Sequence, residues 1–170
     1  IFSARRSYLD LIFKAAGFGF VPEYYDVLSK FNFKIDNNNS LNFLYIGAFD
    51  NVRYFNETSE QRYDNSRILG SDQIQYFTGL TWRRIFNSGY FDLTLGRNFT
   101  DFNTIQRDSL LVPIFQNKSL EAENSLKGDL VYKLSSVSEL NLGFNLKTIK
   151  FKGDILLPTF RTSFGDSLPY

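Results

Sequence analysis

The 170 residues contain no cysteine and no histidine. This removes disulfides, thiolate chemistry, imidazole catalysis and the commonest zinc ligands together. Long apolar runs are missing too: no stretch approaches the roughly 18 residues that a transmembrane helix requires. Neither charge dominates. Lys and Arg number 19 against 18 Asp and Glu, for a net charge of +1. They are scattered among one another and give no basis for nucleic-acid binding. No catalytic set stands out, because Ser has no His and paired carboxylates occur only in loops. Gly17-Phe18-Gly19 lacks the rest of a dinucleotide fingerprint. Neither an enzyme nor a cofactor site is expected.

Aromatic residues are abundant, at 18%, with 19 Phe and 10 Tyr. They fall within stretches where apolar and polar residues alternate, the period-two signature of a strand. Seven stretches read this way: Ile1 to Ile12, Tyr24 to Ile35, Leu41 to Val52, Ile74 to Phe86, Tyr90 to Phe102, Leu120 to Leu134, and Leu140 to Lys152. In the second, Tyr25, Val27, Phe31, Phe33 and Ile35 oppose Asp26, Lys30, Asn32 and Lys34. In the fifth, Phe91, Leu93, Leu95 and Phe99 oppose Asp92, Thr94, Gly96 and Asn98. The one helix candidate is Tyr8 to Ala16, where strand plus loop is preferred. Most of these strands are about twice the ordinary length of 5–6 residues and match the 9–11 residues of a tilted membrane strand.

Connections are short at Asp36 to Ser40, Asn87 to Gly89 and Ser135 to Ser138. They are long at Ala15 to Glu23, Asn51 to Gln73, Asn103 to Ser119 and in the tail from Gly153. Two unlike rims suit a barrel whose ends face different compartments. Aromatics crowd both rims, with aliphatics such as Leu80, Leu93, Leu95, Leu130 and Leu142 between them, as in the girdles of outer-membrane barrels. The mean hydropathy of −0.24 fits, since every second barrel residue would face a polar lumen. The expected fold is all-β: an antiparallel, up-and-down transmembrane β-barrel. A single-chain barrel of this kind normally has an even strand number, so seven strands read as a segment of a larger barrel. The chain also opens within an element, with no basic-then-apolar leader, as if a leader or more had been removed.

The opening Ser3-Ala-Arg-Arg-Ser-Tyr-Leu-Asp-Leu-Ile12 resembles an early barrel strand of TonB-dependent outer-membrane receptors, of the type common in Bacteroidetes-like bacteria. Val21-Pro-Glu-Tyr-Tyr-Asp-Val27, with the strand and Asn-rich turn after it, looks like the next hairpin, and Gly79-Leu-Thr-Trp-Arg83 like a generic strand of such barrels. The resemblance implies a 22-stranded barrel around an N-terminal plug. Residues 1–170 would be one partial barrel domain without plug, TonB box or C-terminal strands. It further implies uptake of a scarce substrate (metal chelate, cofactor or oligosaccharide) across the bacterial outer membrane. The partners would be outer-membrane lipid, the rest of the barrel and its plug, TonB through the N-terminal region, and a surface lipoprotein. Two other readings stay open: a small closed outer-membrane barrel, as pore or structural protein, and an extracellular β-sandwich adhesion module.

Under the barrel reading Arg5, Asp26, Lys30, Arg83, Asp92, Lys127 and Asp129 face the lumen, where some would meet the plug. Lys147 joins them. Mixed signs suggest a hydrated wall with cross-strand pairs; a selective pore would carry one sign in a ring. Alternation leaves open which of Arg5 and Arg6 faces inward. The long connection from Asn56 to Asp72 is the place to meet a ligand, with Arg62, Tyr63, Asp64 and Arg67 as candidates. Its acidic residues do not match an EF-hand, so a solvated loop is expected there.

Overall fold

The computed structural model describes residues 1–161, 164, 165, 167 and 168. Seven strands form one antiparallel sheet in sequence order: β1 (Phe2–Arg6), β2 (Phe20–Lys34), β3 (Asn39–Tyr54), β4 (Gly70–Phe86), β5 (Gly89–Arg107), β6 (Pro113–Lys133) and β7 (Glu139–Leu156). Helix α1 (Leu9–Ala15) lies between β1 and β2, and α2 (Ser59–Ser66) between β3 and β4. Two short strands, β8 (Phe160–Arg161) and β9 (Ser167–Leu168), pair with each other. The sheet is open, and β1 and β7 are its edges. Among the described residues no helix is long and apolar enough to cross a membrane.

The alternation sorts residues as expected. Register carries the apolar set of each strand onto that of the next, as in Phe31–Phe43, Phe43–Leu80, Leu80–Leu95, Leu95–Leu126 and Leu126–Leu146. One continuous apolar face results. The opposite face carries Arg5 beside Asp26, then Lys30, Thr81, Arg83, Asp92, Thr94, Lys127, Asp129 and Lys147. Arg6 pairs with Tyr25 on the apolar face, its guanidinium 5.7 Å from the ring centre. The sequence left that choice open.

Several boundaries differ from expectation. The first strand ends at Arg6 and not at Ile12, because Leu9–Ala15 is a helix. Its end is a Schellman motif. The Phe18 N–H donates to the Phe13 carbonyl (3.0 Å) and the Gly17 N–H to the Lys14 carbonyl (3.1 Å), with Gly17 at φ +77°. The Phe13 and Phe18 rings, 5.1 Å apart, add the apolar contact that accompanies such an end. The segment Asn56 to Asp72 is not all loop. Thr58 and Gln61 make a capping box, and α2 follows. Asn103 to Ser119 is not a long connection either. β5 and β6 continue to Arg107 and from Pro113, and residues 108–112 turn the chain around the Asp108 carboxylate, which accepts from Leu110 N and Val112 N at 2.9 Å each. β7 runs to Leu156, past the expected end at Lys152, and β8–β9 occupies part of the tail. The polar face also carries an apolar patch, because Leu28, Ile46 and Phe77 are successive register partners.

The sheet has no core of its own. Among the described residues only Val21, Ile105 and Ala122 are buried apolar side chains, while Phe33, Leu95, Leu142 and Leu146 are more than half exposed. The accessible surface is 12132 Å². A folded monomer of 19.7 kDa is expected to expose about 8,600 Å². The three short turns, β2–β3, β4–β5 and β6–β7, also step steadily along the register. From the first to the third they shift by about four residues across four strands. At ~3.3 Å per residue and ~4.8 Å per strand, a line through the turns makes roughly 35° with the perpendicular to the strands.

Candidate functional site

The polar face brings four of the seven wall candidates together and separates the other three. Arg83 on β4 donates to Asp92 on β5 through Nε to Oδ1 (2.7 Å) and Nη2 to Oδ2 (2.5 Å). This is the bidentate geometry in which guanidinium–carboxylate pairs are strongest. Tyr90 lies beside the same guanidinium, 4.9 Å from ring centre to Cζ. Asp129 on β6 is the register partner of Asp92. Two carboxylates would repel there, and Arg83 and Lys127 offset the charge; Lys127 Nζ stands 2.8 Å from Asp129 Oδ2. Thr81 and Thr94 share a hydrogen bond of 3.0 Å one row above. The result is a cross-strand network of alternating sign over β4, β5 and β6.

Arg5 and Asp26 are register partners on β1 and β2, and Lys30 stands opposite Leu44. Among the described residues none of these three forms an ion pair within 4 Å. They lie roughly 13–27 Å along the strands from the Arg83 row, and Gly79 opposite Gly96 leaves bare backbone in the row of Lys30. Lys147 pairs with Glu123 (2.9 Å) on the same face.

At the end away from the short turns, α2 uses its candidates mainly on itself. The Arg62 guanidinium donates to the Asn56 carbonyl (3.0 Å) and to Ser59 Oγ (3.1 Å), fixing the helix start. Arg67 donates to the Tyr63 hydroxyl (3.0 Å) and lies against its ring. Tyr63, Asp64 and Arg67 are exposed, so these three remain available to a ligand and Arg62 is occupied. The residue that sequence reasoning missed is Asn65, 6% exposed. Its Nδ2 lies within hydrogen-bond distance of the Gly19 carbonyl (3.0 Å), the Phe55 carbonyl (2.9 Å) and Asn56 Oδ1 (2.9 Å). It thereby ties the first connection to the second. Gln106 adds β5 by donating to the Ser66 carbonyl (3.1 Å). Among the described residues no acidic cluster could hold a metal ion.

The apolar face carries a second feature missed in the sequence. Counting from the centre of each short turn, Tyr25, Phe49, Tyr76, Phe99, Asn124 and Thr148 all stand about twelve residues away. These six residues, one per strand from β2 to β7, form a line parallel to the line of turns. Tyr76 stacks on Phe99 at 5.1 Å. Arg97, on the same face, donates from Nε to the Tyr76 hydroxyl (2.9 Å) and from Nη1 to Asn124 Oδ1 (2.9 Å). Between this line and the turns the face is mainly Phe31, Phe43, Leu80, Trp82, Leu93, Leu95, Leu126, Leu130, Leu142, Phe144 and Leu146, with Arg97 next to the line, Arg84 next to the β4–β5 turn, and Trp82 edge-on to Phe91 at 6.2 Å. Beyond it stand Glu23, Arg53, Asp101, Lys118, Lys150 and Lys152. The signal was available as a constant count from each turn, but reading it requires the turn centres that pairing defines.

Comparison with known proteins returned no matching family model, no matching curated protein and no matching solved structure.

Proposed function

We propose that the chain is a wall segment of an outer-membrane β-barrel that takes up a scarce substrate in the manner of TonB-dependent receptors. The observation that carries the membrane part is the level band on the apolar face. If the short turns share one rim, the strands lean by roughly 35°, within the 35–45° of membrane barrels. Twelve residues then rise ~30 Å. Less the turn itself, this leaves an apolar belt close to the ~25 Å expected between aromatic girdles. The open sheet supports a segment over a small closed barrel, and among the described residues no second sheet covers it, which disfavours a sandwich.

The transport part rests on the resemblance of Ser3 to Ile12 and Val21 to Val27 to such receptors. It is supported by the polar face, whose ion pairs suit a hydrated lumen. The patch of Leu28, Ile46 and Phe77 on that face needs cover, which a plug inside the barrel would supply. Substrate capture belongs to the end that carries α1 and α2, where Tyr63, Asp64 and Arg67 are exposed.

Because the chain has no cysteine, single replacements test the orientation cleanly. In outer-membrane vesicles holding the whole protein, Leu93→Cys, Leu130→Cys and Leu142→Cys should react with a bilayer-soluble maleimide and resist a charged, impermeant thiol reagent. Thr81→Cys and Thr94→Cys should do the reverse. Equal reactivity of both sets with the aqueous reagent would remove the membrane reading. Uptake is tested by growth on limiting metal chelate, cofactor or oligosaccharide. Growth on one of them should fail both on deletion of the gene and on loss of TonB.

A further inference from the structure

We propose that the far end of β5, β6 and β7 holds the phosphorylated headgroup of a membrane lipid, with Arg97, Lys150 and Lys152 as its cationic contacts. The inference rests on the membrane reading above and adds a lipid site to it.

The first observation is position. Lys150 and Lys152 lie on the apolar face just beyond the line of Tyr76, Phe99, Asn124 and Thr148, and Arg97 stands on the same face two residues inside that line, its guanidinium bonded to Tyr76 and Asn124 on it. That is the level at which acyl chains give way to headgroups. A cation placed there has lipid phosphate as its nearest abundant counter-ion. The second observation is that Arg97 is held in place. Its Nε and Nη1 are engaged by the Tyr76 hydroxyl and Asn124 Oδ1, and its Cζ lies 5.6 Å from the Phe99 ring centre. No partner within the chain engages Nη2 among the described residues. A guanidinium oriented in advance loses little entropy on binding phosphate. The third is charge. Among the described residues neither Lys150 nor Lys152 makes an ion pair within 4 Å. Their register partners on β6 are Ala122 and Leu120, which leave room beside the lysine stems and carry no opposing charge. Lys118 and Asp154 are partners of each other one row further out, and Asp101 is the one acid among the nearer rows. Three cations against one acid leave the patch positive.

The test reads the lipid shell of the whole protein in nanodiscs of phosphatidylcholine doped with a spin-labelled probe lipid. The probes are a bis-phosphorylated lipid A, the same lipid dephosphorylated, and phosphatidylglycerol. Phosphorylated probes should be immobilised at the protein several-fold more than the dephosphorylated one. Preference for lipid A over phosphatidylglycerol assigns the glycolipid; equal immobilisation of the two assigns lipid phosphate in general. Lys150→Gln/Lys152→Gln should lower the preference several-fold, Arg97→Gln should lower it also, and Lys34→Gln, on the polar face, should leave it unchanged. No preference in the native protein, or a preference that survives all three substitutions, overturns the proposal. The Leu93→Cys readout in the same discs separates this from failure of the membrane reading. A lipid-accessible Leu93→Cys without phosphate preference defeats the lipid site alone.

Discussion

Asn65 shows how one side chain can organise a surface that sequence patterns leave blank. Its amide is buried and serves two carbonyls from different connections. Asn65→Ala removes this donor from the Phe55 carbonyl and leaves the Gly19 carbonyl with the Phe55 amide alone, at a cost of about 1–3 kcal/mol. The Phe55 amide, which donates to the Gly19 carbonyl at 2.8 Å, should then exchange with solvent ~10–100-fold faster by hydrogen-exchange NMR or mass spectrometry. Asp36 does comparable work at the first short turn. Its Oδ1 accepts from Asn38 N (2.7 Å) and Asn39 N (2.8 Å), and both carboxylate oxygens accept from Asn39 Nδ2. The Asn38 backbone N–H and then the Asn39 side chain hold its pKa below the usual 3.8. Because the folded value is depressed, the stabilisation is fully present above 3.8 and is lost as pH falls through the lowered value. Amide protection at Asn38 and Asn39 should persist below pH 3.8 and collapse only under stronger acid. In Asp36→Ala that protection should be absent at every pH.

Elements depend on glycine at two places for different reasons. At Gly17 the requirement is conformational: φ is +77° and the space for a Cβ is empty. Gly17→Ala should therefore cost only about 1 kcal/mol, the ordinary penalty for a side chain at positive φ. At Gly89 the requirement is space, since a Cβ would stand 1.9 Å from the Val131 carbonyl oxygen, a backbone atom that cannot yield alone. Gly89→Ala should force β5 and β6 apart at the turn and cost more, roughly 1–3 kcal/mol or above. Thermal unfolding in detergent should rank the two in that order. At this scale the sequence was legible where alternation was strict, as in β2 and β5. It misled where end signals outweighed periodicity. Tyr8 to Ala16 looked like strand and loop because its apolar residues follow neither period, yet Asp10, Lys14 and Gly17 mark both ends of a helix. Thr58-Ser-Glu-Gln61 was a legible capping box inside a segment taken for loop.

At the scale of the whole molecule the governing fact is the missing core. A single layer exposing 12132 Å² cannot offset its conformational entropy by its own burial. Its stability must come from what covers its faces. The protein should show a cooperative unfolding transition in detergent or bilayer, and none in detergent-free buffer, where it should associate. Circular dichroism with light scattering distinguishes the two. A monodisperse, folded monomer in detergent-free buffer would contradict both this prediction and the membrane reading.

The division between sequence and tertiary structure follows from what each level encodes. Alternation alone determined that the chain makes long strands with one apolar face and joined Tyr25 to Phe31 or Leu93 to Phe99 on it, because side-chain direction in a strand depends only on parity. The likeness of Thr81, Thr94, Arg83 and Asp92 as polar-face residues was legible for the same reason. Their assembly into one network, and the separation of Arg5, Asp26 and Lys30 from it, required the register, since a contact across strands depends on where each turn falls. So did the line through Tyr76, Phe99, Asn124 and Thr148, and the hold of Tyr76 and Asn124 on Arg97. Parity is a property of neighbours in the chain; level is a property of neighbours in space, and only pairing defines it.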